Sequence, residues 1–443
     1  MRVNLKFPGW ITSVLGAGWL ACTPANAAST AATEALVPPP TPSVVKLAPA
    51  QIAAFHDYLV QEQKHLNLPG LAVVLVQPGQ TLLMEGLGVR DANGNQPISV
   101  NTHFALGPAT QAVNSLLLAR LAEQDILSLD MPATRAWDEF KLADTTAKNT
   151  LSQPPGPLAN NAPERINSLP ATQNWEQSKS ADRAAPPKVT LRHLLGMTAG
   201  VPERADNFVR LNTAMPADLF SVLAQIPVAT LPGREFAYSD ASVAAAGYLA
   251  VYAANHHHAP AAGLPSGYAE LAKTQLFDPL GLKDATFEAS ANDALGHTRH
   301  AQGAWKSVSV EPANGGALRP ALGLRASASD VAAWLQVEIC GGLGSEGKSF
   351  VLKDAVEERW RPADDSPQHE YGLGWTAQHY RGIELITRAG EYEHQAELVA
   401  IIPQYCTAFA LLTNGSGKET AVFLQDALLN LTDLLKETAA GQN

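Results

Sequence analysis

The sequence predicts a mixed α+β fold, because helical and strand periodicities alternate near its N-terminus and meet again near its C-terminus. Apolar residues recur at helical spacing from residue 52 to 59, and two short apolar runs around Pro78-Gly79 then indicate a hairpin. Strand-like runs between Tyr371 and Asn414 precede a final helical pattern that begins near Glu419. With 443 residues, 46% of them hydrophobic, the chain is long enough to bury a large core.

The N-terminus has the features of an export signal over residues 1–27. Arg2 and Lys6 supply the positive start, an apolar run too short to span a bilayer follows, and small residues form a cleavage site. A competing interpretation places a lipid on Cys22, but Trp19 stands where such sites usually carry an aliphatic residue. We expect simple cleavage, and therefore a periplasmic or secreted protein.

The ordered domain is predicted to span residues 49–438. Residues 28–48, rich in Ala, Thr, Pro and Ser, form a flexible lead. A first helix is expected near residue 50, and the strands of the hairpin are expected at 71–76 and 82–84.

A long helix is predicted to begin at Pro108 and to end near Gln124. Proline is acceptable at a first helical position, because the N–H that it lacks would have no partner there. One face is apolar and carries Val113, Leu116, Leu117, Ala119 and Leu121. Repeated prolines then break any regular element between residues 144 and 188, which indicates an insertion or surface excursion.

The charge balance limits the possible partners. The net charge is -11 and no basic cluster is present, which argues against nucleic acid and against an anionic membrane. The pattern indicates no cofactor and no metal site. The run His256-His257-His258 follows a predicted helix and precedes a proline, so we expect solvent-exposed turn histidines there.

Residues 104–111 read Phe-Ala-Leu-Gly-Pro-Ala-Thr-Gln. They resemble Phe-x-x-(Gly/Ala)-Ser-x-(Ser/Thr)-Lys, which opens the nucleophile helix of serine β-lactamases, penicillin-binding proteins and related esterases. Further landmarks of these proteins follow in order at 190–200, 232–240, 277–282, 323–330 and 371–414. The chain is therefore similar to the group of class C β-lactamases, D-alanyl-D-alanine carboxypeptidases and esterases.

This resemblance implies an α/β sandwich with an antiparallel β-sheet flanked by helices. Both chain ends would build the sheet lobe, from about 49–107 and 300–438. A mainly helical lobe, about 108–299, would be inserted between them and would contain the irregular insertion. The active-site cleft of such proteins lies between the two lobes.

The resemblance also assigns roles to single positions. Pro108 stands in place of the nucleophilic serine and Gln111 in place of the lysine base, so the covalent acyl transfer of the family should be absent. Thr110 occupies the family's own Ser/Thr position. Tyr238 retains the family's proton-shuttling tyrosine, and Asp240 replaces its usual asparagine.

The third family motif aligns best with Arg388-Ala389-Gly390, which keeps a cation beside the cleft. A guanidinium suits a carboxylate ligand, such as that of a β-lactam or a cell-wall peptide. The alternative is that Asp240 pairs with Arg388 and closes the pocket. The residues after Gly390, Glu391-Tyr392-Glu393-His394, predict a solvated acidic rim rather than a metal site.

No other residue is a convincing replacement for the nucleophile. Ser345 begins a literal Ser-x-x-Lys match that ends at Lys348, but this match lies in a glycine-rich loop without a following amphipathic helix. Ser115 falls one residue beyond the turn after Gln111. After signal cleavage two cysteines remain, Cys340 and Cys406, either as a disulfide or as two buried apolar thiols.

Three functions are compatible with this sequence. The first is an inactive pseudoenzyme that binds a carboxylate-bearing ligand such as a cell-wall peptide. The second is an active hydrolase of the β-lactamase, carboxypeptidase or esterase type with a relocated nucleophile. The third is an envelope protein-interaction scaffold that keeps the fold for its surfaces.

Overall fold

A six-stranded antiparallel sheet forms the centre of the protein, with the order β2-β1-β10-β9-β8-β7. A computed structural model describes residues 43–143, 188–203, 205–207, 215–255, 263–299, 303–308, 316–344, 348–362 and 370–442. The predicted export signal, nearly all of the predicted insertion, His256–His258 and Ser345 lie outside these ranges. The described residues belong to one compact unit, Thr41–Asn443.

The strands are β1 Gly70–Gln77, β2 Gln80–Gly88, β3 Phe104–Ala105, β4 His297–Arg299, β5 Trp305–Ser307, β6 Arg325–Ala326, β7 Thr376–Tyr380, β8 Ile383–Tyr392, β9 Gln395–Ile402 and β10 Thr407–Thr413. The helices are α1 Pro49–His65, α2 Ala109–Glu123, α3 Ala133–Ala136, α4 Leu191–Leu195, α5 Pro216–Leu223, α6 Asp240–Ala254, α7 Leu264–Ala272, α8 Asp278–Leu280, α9 Arg319–Leu322, α10 Ala328–Ile339, α11 Lys353–Glu358 and α12 Lys418–Gln442. Two small pairs, β3 with β6 and β4 with β5, lie apart from the main sheet.

The alternation of side chains explains why the central strands are continuously apolar. One face of β1 packs into the core on the side of α2 and α6, through Ala72, Val74 and Val76. The other face packs against α1 and α12, through Leu71, Val73 and Leu75. Because successive side chains in a strand point to opposite faces, a sheet covered on both faces needs apolar residues at every position. Each fully buried valine or leucine stabilises the fold by about 1.5–3 kcal/mol.

The predicted elements at both chain ends are confirmed. The first helix runs from Pro49 to His65, the hairpin strands meet at a turn where Gly79 has a φ of +69°, and the last helix begins at Lys418. Strands from both ends of the chain pair directly, β1 with β10. The antiparallel sheet flanked by helices therefore agrees with the predicted fold class, while the exact limits of the two lobes stay a prediction.

The position of Pro108 differs by one residue from the prediction. Helix α2 begins at Ala109, and Pro108 precedes it as the N-cap residue with φ -55° and ψ -26°. The proline ring still fits, because these angles are close to helical values and the ring fixes φ near -65°. Helix α2 is buried almost all round rather than on one face, since it runs through the middle of the protein.

Among the described helices, none combines the length and the apolar character needed to cross a membrane.

Candidate functional site

The amide of Gln111 is the centre of the candidate site. Its Nε2 donates to Asp240 Oδ1 at 2.8 Å and to the Tyr238 hydroxyl at 3.2 Å. Its Oε1 accepts from the Tyr371 hydroxyl and from Arg388 Nη2, both at 2.8 Å. An amide offers two N–H donors and two lone pairs on its oxygen, so all four are occupied. Helix α2 places Gln111 at this point one turn after Pro108.

Arg388 reaches the same point from strand β8. Its Nε donates to the Pro108 carbonyl at 3.1 Å, and its Nη2 donates to Gln111 and, at 3.2 Å, to the Tyr238 hydroxyl. Burial alone would lower the pKa of Arg388, but the neighbouring Tyr238, Tyr371 and Asp240 outweigh it and raise that pKa. The guanidinium therefore remains charged, although its side chain is only 7% exposed.

Asp240 and Arg388 do not form the direct ion pair that the sequence left open. Among the described residues, the contact between them runs through Gln111 and Tyr238, both of which donate to Asp240 Oδ1. Asp240 opens helix α6, where the helix dipole favours a negative charge. The two opposite charges are thus separated by a layer of neutral hydrogen-bonding groups.

Tyr238 is a neutral phenol in this network. Burial and the nearby Asp240 carboxylate raise its pKa above the ordinary value for tyrosine. Its hydroxyl donates to Asp240 at 2.9 Å and accepts from Gln111 and Arg388. Because the phenol stays protonated and its lone pairs accept from Gln111 and Arg388, it is not available as a base near neutral pH.

Tyr371 belongs to the site, and the sequence did not single it out as a functional residue. Burial raises its pKa to about 12, so it too is a neutral donor. Its ring lies 5.4 Å from the Arg388 guanidinium carbon, within the range of a cation–π contact. The Tyr-Gly-x-Gly-Trp landmark at 371–375 was visible in the sequence, but it gave no sign that the tyrosine faces Gln111.

The absence of a side chain at Gly390 leaves room for Pro108. A Cβ atom at this position would lie 2.4 Å from Pro108 Cγ, which is closer than real atoms approach. The proline ring therefore packs directly against the strand at the place where the family has its serine. The Pro108 ring thus occupies the position of the family's nucleophile, and Gly390 makes its close approach to β8 possible.

Thr110 lies on another side of α2. Its buried hydroxyl accepts from the Leu324 N–H at 3.2 Å. This hydrogen bond connects α2 to the segment before β6. The structure therefore gives Thr110 a structural contact and does not bring it into the hydrogen-bond network of Gln111. Ser115 is also buried, where it donates to the Ala112 carbonyl and accepts from Arg359.

Two buried carboxyl groups next to the site were missed by the sequence reasoning. Glu397, opposite Gly390 in the pairing of β8 with β9, accepts from the Ala109 N–H at 3.3 Å. Its Oε2 has no hydrogen-bond partner among the described residues. Burial raises the pKa of Glu397 well above its ordinary value, which favours the neutral carboxylic acid.

The second group is Asp206, whose carboxyl group accepts hydrogen bonds at the N-terminus of helix α6. It accepts from the Ser239 hydroxyl and from the backbone N–H groups of Asp240 and Ala241, at 2.8–2.9 Å. Burial, together with the charge of Asp240, raises its pKa to about 7. No local sequence pattern could have identified it, because it is 34 residues before the backbone that it binds.

The predicted acidic rim is partly engaged in internal contacts. Glu393 forms an ion pair with Arg325, and Glu391 accepts from the Gly417 N–H at 2.8 Å. Glu393 and His394 both have positive φ values at the turn between β8 and β9. In the described part of the chain, no group of three His, Cys, Asp or Glu residues is arranged to hold a metal ion.

A serine, a histidine and a carboxylate meet outside this site. His103 Nδ1 lies 3.0 Å from the Ser290 hydroxyl and 3.2 Å from Asp293 Oδ1. Ser290 also donates to Asp293 at 2.8 Å, and Arg325 pairs with the same carboxylate. Asp293 and Ser290 thus form a charge-stabilised turn, in which the serine proton already has an acceptor.

Comparison with known proteins gives a consistent result. A model of the family described as Beta-lactamase matches residues 55–433. Esterase EstB of Burkholderia gladioli is 30% identical over 106 residues, which cover 23% of this chain and only 27% of the esterase. The octameric penicillin-binding protein homologue from Pyrococcus abyssi has a TM-score of 0.62 at 19% identity, covering 86% of this chain and 77% of that one. At this identity the structural likeness shows a common fold.

Proposed function

Because this chain belongs to the Beta-lactamase family, we propose that it is a member without covalent acyl-transfer activity, which binds a carboxylate-bearing ligand at Arg388. The observation that carries the first part is the closed network around Gln111. The nucleophile and the base of the family are absent from their usual positions. Gln111 stands in place of the base, and both N–H donors and both lone pairs of its amide are already hydrogen-bonded.

The second part is supported by the unused donors of Arg388. Its Nε and Nη2 bind inside the protein, whereas its Nη1 donates to no described residue. The charge stays on the guanidinium, and hydrogen bonds from a charged donor to a carboxylate are about twice as strong as neutral ones. A ligand carboxylate could therefore be held without breaking the contacts to Gln111 and Tyr238.

Calorimetry with D-alanyl-D-alanine peptides and muropeptides tests the binding proposal. We expect the wild type to bind and Arg388→Ala to lose at least about 10-fold in affinity, as for a lost charge-assisted hydrogen bond. Arg381→Ala is the matched control, since Arg381 is exposed and pairs with Asp433 near the end of the same sheet. Binding absent from the wild type, or equal binding by folded Arg388→Ala, contradicts the proposal.

A hydrolase with a relocated nucleophile is the second candidate, and the contact between His103 and Ser290 favours it. Intact-mass analysis after incubation with a fluorophosphonate and with a labelled penicillin separates the two functions. We expect no adduct. An adduct that is lost in Ser290→Ala would establish the hydrolase instead, whereas an adduct that persists in Ser290→Ala would place the nucleophile elsewhere and equally reject inactivity.

We also propose that the protein acts outside the cytoplasm, on the basis of its positive, apolar and small-residue N-terminal pattern over residues 1–27. Cell fractionation of the full chain beside a variant with Arg2 and Lys6 changed to Glu tests this. We expect the full chain in the periplasm or medium and the variant in the cytoplasm. A full chain retained in the cytoplasm contradicts export.

A further inference from the structure

Two cysteines end neighbouring segments at one end of the main sheet. Cys340 follows helix α10 directly, and its backbone N–H donates to the Gln336 carbonyl at 3.0 Å. Cys406 ends the short turn between β9 and β10, with a φ of +46°. Both are free thiols in this structure and both are partly exposed, so the structure shows neither of the two alternatives, a disulfide or two fully buried thiols.

Two glutamine side chains hold these segments on the same turn of β1 and β2. Gln336 donates to the Gln77 carbonyl at 2.9 Å and accepts from the Gly79 N–H at 3.0 Å, while Cys340 Sγ lies 3.6 Å from its Oε1. The buried side chain of Gln77 donates to the Thr407 hydroxyl at 3.1 Å. Thr407 is the residue after Cys406, so both cysteine segments are anchored to one residue, Gln77.

Lys353 packs beside the segment that follows Cys340. A Cβ atom at Gly341, the residue after Cys340, would lie 3.0 Å from the stem of Lys353. Burial raises the pKa of Cys406, and the positive charge of Lys353 partly opposes that rise. Burial and the nearby Cys406 thiol raise the pKa of Cys340. The shared anchor at Gln77 thus holds the two cysteine segments at the same end of the sheet, and both thiols are partly exposed.

We propose that Cys340 and Cys406 are a redox modification site, which closes to an intramolecular disulfide in the presence of a low-molecular-weight disulfide such as oxidised glutathione. In the first step, one cysteine thiolate attacks the oxidant, releases one glutathione thiol and forms a mixed disulfide. In the second, the other cysteine displaces the second glutathione. Both cysteines lose their protons, one protein S–S bond forms, and the oxidant is reduced to two thiols.

The bond would tie the end of α10 to the turn that leads into β10. Because it closes a loop of the chain from 340 to 406, it restricts the unfolded state and stabilises the fold. Thiolate is the reacting form, and burial raises the pKa of both thiols, so the reaction accelerates as the pH rises from 7 towards 9. An oxidising compartment, which the predicted export signal would supply, favours the closed form.

Intact mass after oxidation tests this proposal on the full chain carrying Cys22→Ser, which leaves these two cysteines alone. After incubation with oxidised glutathione and quenching with a maleimide, we expect a chain lighter by two hydrogen atoms that carries no maleimide and no glutathione. Peptide mapping should find Cys340 joined to Cys406. The melting temperature should rise by about 5 °C and return on reduction.

Single variants with Cys340→Ser or Cys406→Ser serve as matched controls, and each should take up one glutathione and show no such rise. A folded double-cysteine protein that carries two maleimides, or glutathione on either cysteine, after the same treatment would overturn the proposal. A disulfide that leaves the melting temperature unchanged would contradict the proposed stabilisation of the fold by this bond.

Discussion

At the scale of single residues, the candidate site is a hydrogen-bond network built on one amide. Glutamine occupies the position of the family's lysine with a shorter side chain, and it can neither take up a proton nor carry a charge. Its amide instead forms hydrogen bonds with a cation, a carboxylate and two phenols. Buried polar groups are costly unless they are paired, so this one side chain determines whether the whole site is stable.

Replacing Gln111 should therefore destabilise the protein more than its size suggests. Gln111→Ala leaves Arg388 and Asp240 without their central partner, and we expect the free energy of unfolding to fall by about 2–4 kcal/mol. Urea denaturation followed by circular dichroism measures this. Gln124→Ala at the exposed end of the same helix is the control and should change stability by less than about 0.5 kcal/mol. Equal effects of the two variants would show that the network is not stabilising.

Restoring the two missing catalytic groups should require a third change. In Pro108→Ser with Gln111→Lys, the new ammonium group lies beside Asp240, and this carboxylate keeps lysine protonated and unsuited to act as a base. Adding Asp240→Asn removes that charge and leaves Arg388, which favours the neutral amine. We expect the triple variant to hydrolyse a small chromogenic ester at least about 10-fold faster than the double variant at pH 7.

The pH dependence of the rate distinguishes this explanation from a general repair of the fold. The triple variant should reach half of its maximal rate at a lower pH than the double variant, because its lysine loses the proton more readily. If the two folded variants have the same rate and the same pH profile, the charge of Asp240 does not control the site.

At the scale of elements, the site depends on how helix α6 begins. Ser239 caps the helix by accepting from the Ser242 N–H at 3.1 Å, and Asp206 binds the next backbone N–H groups from a separate segment. This arrangement fixes Asp240 on the first turn, where it faces Gln111. Orphan N–H groups at a helix start need such acceptors, and here a carboxyl group from outside the helix provides them.

Asp206 should make the stability depend on pH in the direction opposite to that of an ordinary salt-bridged aspartate. Its folded-state pKa is raised from 3.8 to about 7, so between these values the folded state holds a proton that the unfolded state has lost. The contribution of Asp206 is therefore fully present below pH 4 and is lost as the pH rises towards 7. The slope is up to about 1.4 kcal/mol per pH unit.

Urea denaturation of wild type and Asp206→Asn at several pH values between 4 and 8 measures this contribution. We expect the wild type to lose more stability than the variant over this interval, because asparagine does not titrate. Buried carboxyl groups that are not coupled to Asp206, such as Glu397, contribute equally to both proteins and cancel in the comparison. Parallel curves for the two proteins would contradict a raised pKa at Asp206.

At the scale of the whole molecule, the sheet separates two apolar cores, and different helices cover each of them. One core lies between the sheet and the buried helices α2 and α6, and the other lies between the sheet and the terminal helices α1 and α12. The second core brings the helices of both chain ends together on one face of the sheet. The 25-residue helix α12 thus packs onto strands from both chain ends.

A truncation within this second core should show its importance. Leu428 on α12 is fully buried, and we expect Leu428→Ala to lower the free energy of unfolding by about 2–5 kcal/mol. Val422 on the same helix is 40% exposed, so Val422→Ala should cost less than about 1 kcal/mol. Chemical denaturation of both variants tests this, and a cost of Leu428→Ala no larger than that of Val422→Ala would mean that α12 does not close the core.

The sequence by itself determined the fold class, the family and the loss of the family's reactive pair. Local patterns were sufficient for these conclusions, because strand and helix periodicity and the residues at 108 and 111 can be read along the chain. It also supplied Tyr238 and Arg388 through their neighbouring motifs. It could not decide whether Asp240 pairs with Arg388, and it gave no indication of Glu397 or Asp206.

Only the tertiary structure decided which groups surround Gln111. The partners of Gln111 are 127, 129, 260 and 277 residues away in the chain, and they meet because β8, α6 and the segment before β7 pack around the start of α2. Hydrogen bonds depend on distances of about 3 Å and on direction, whereas a sequence pattern fixes only which residues share an element. The same reason explains why the neighbouring positions of Cys340 and Cys406 became visible only in the folded chain.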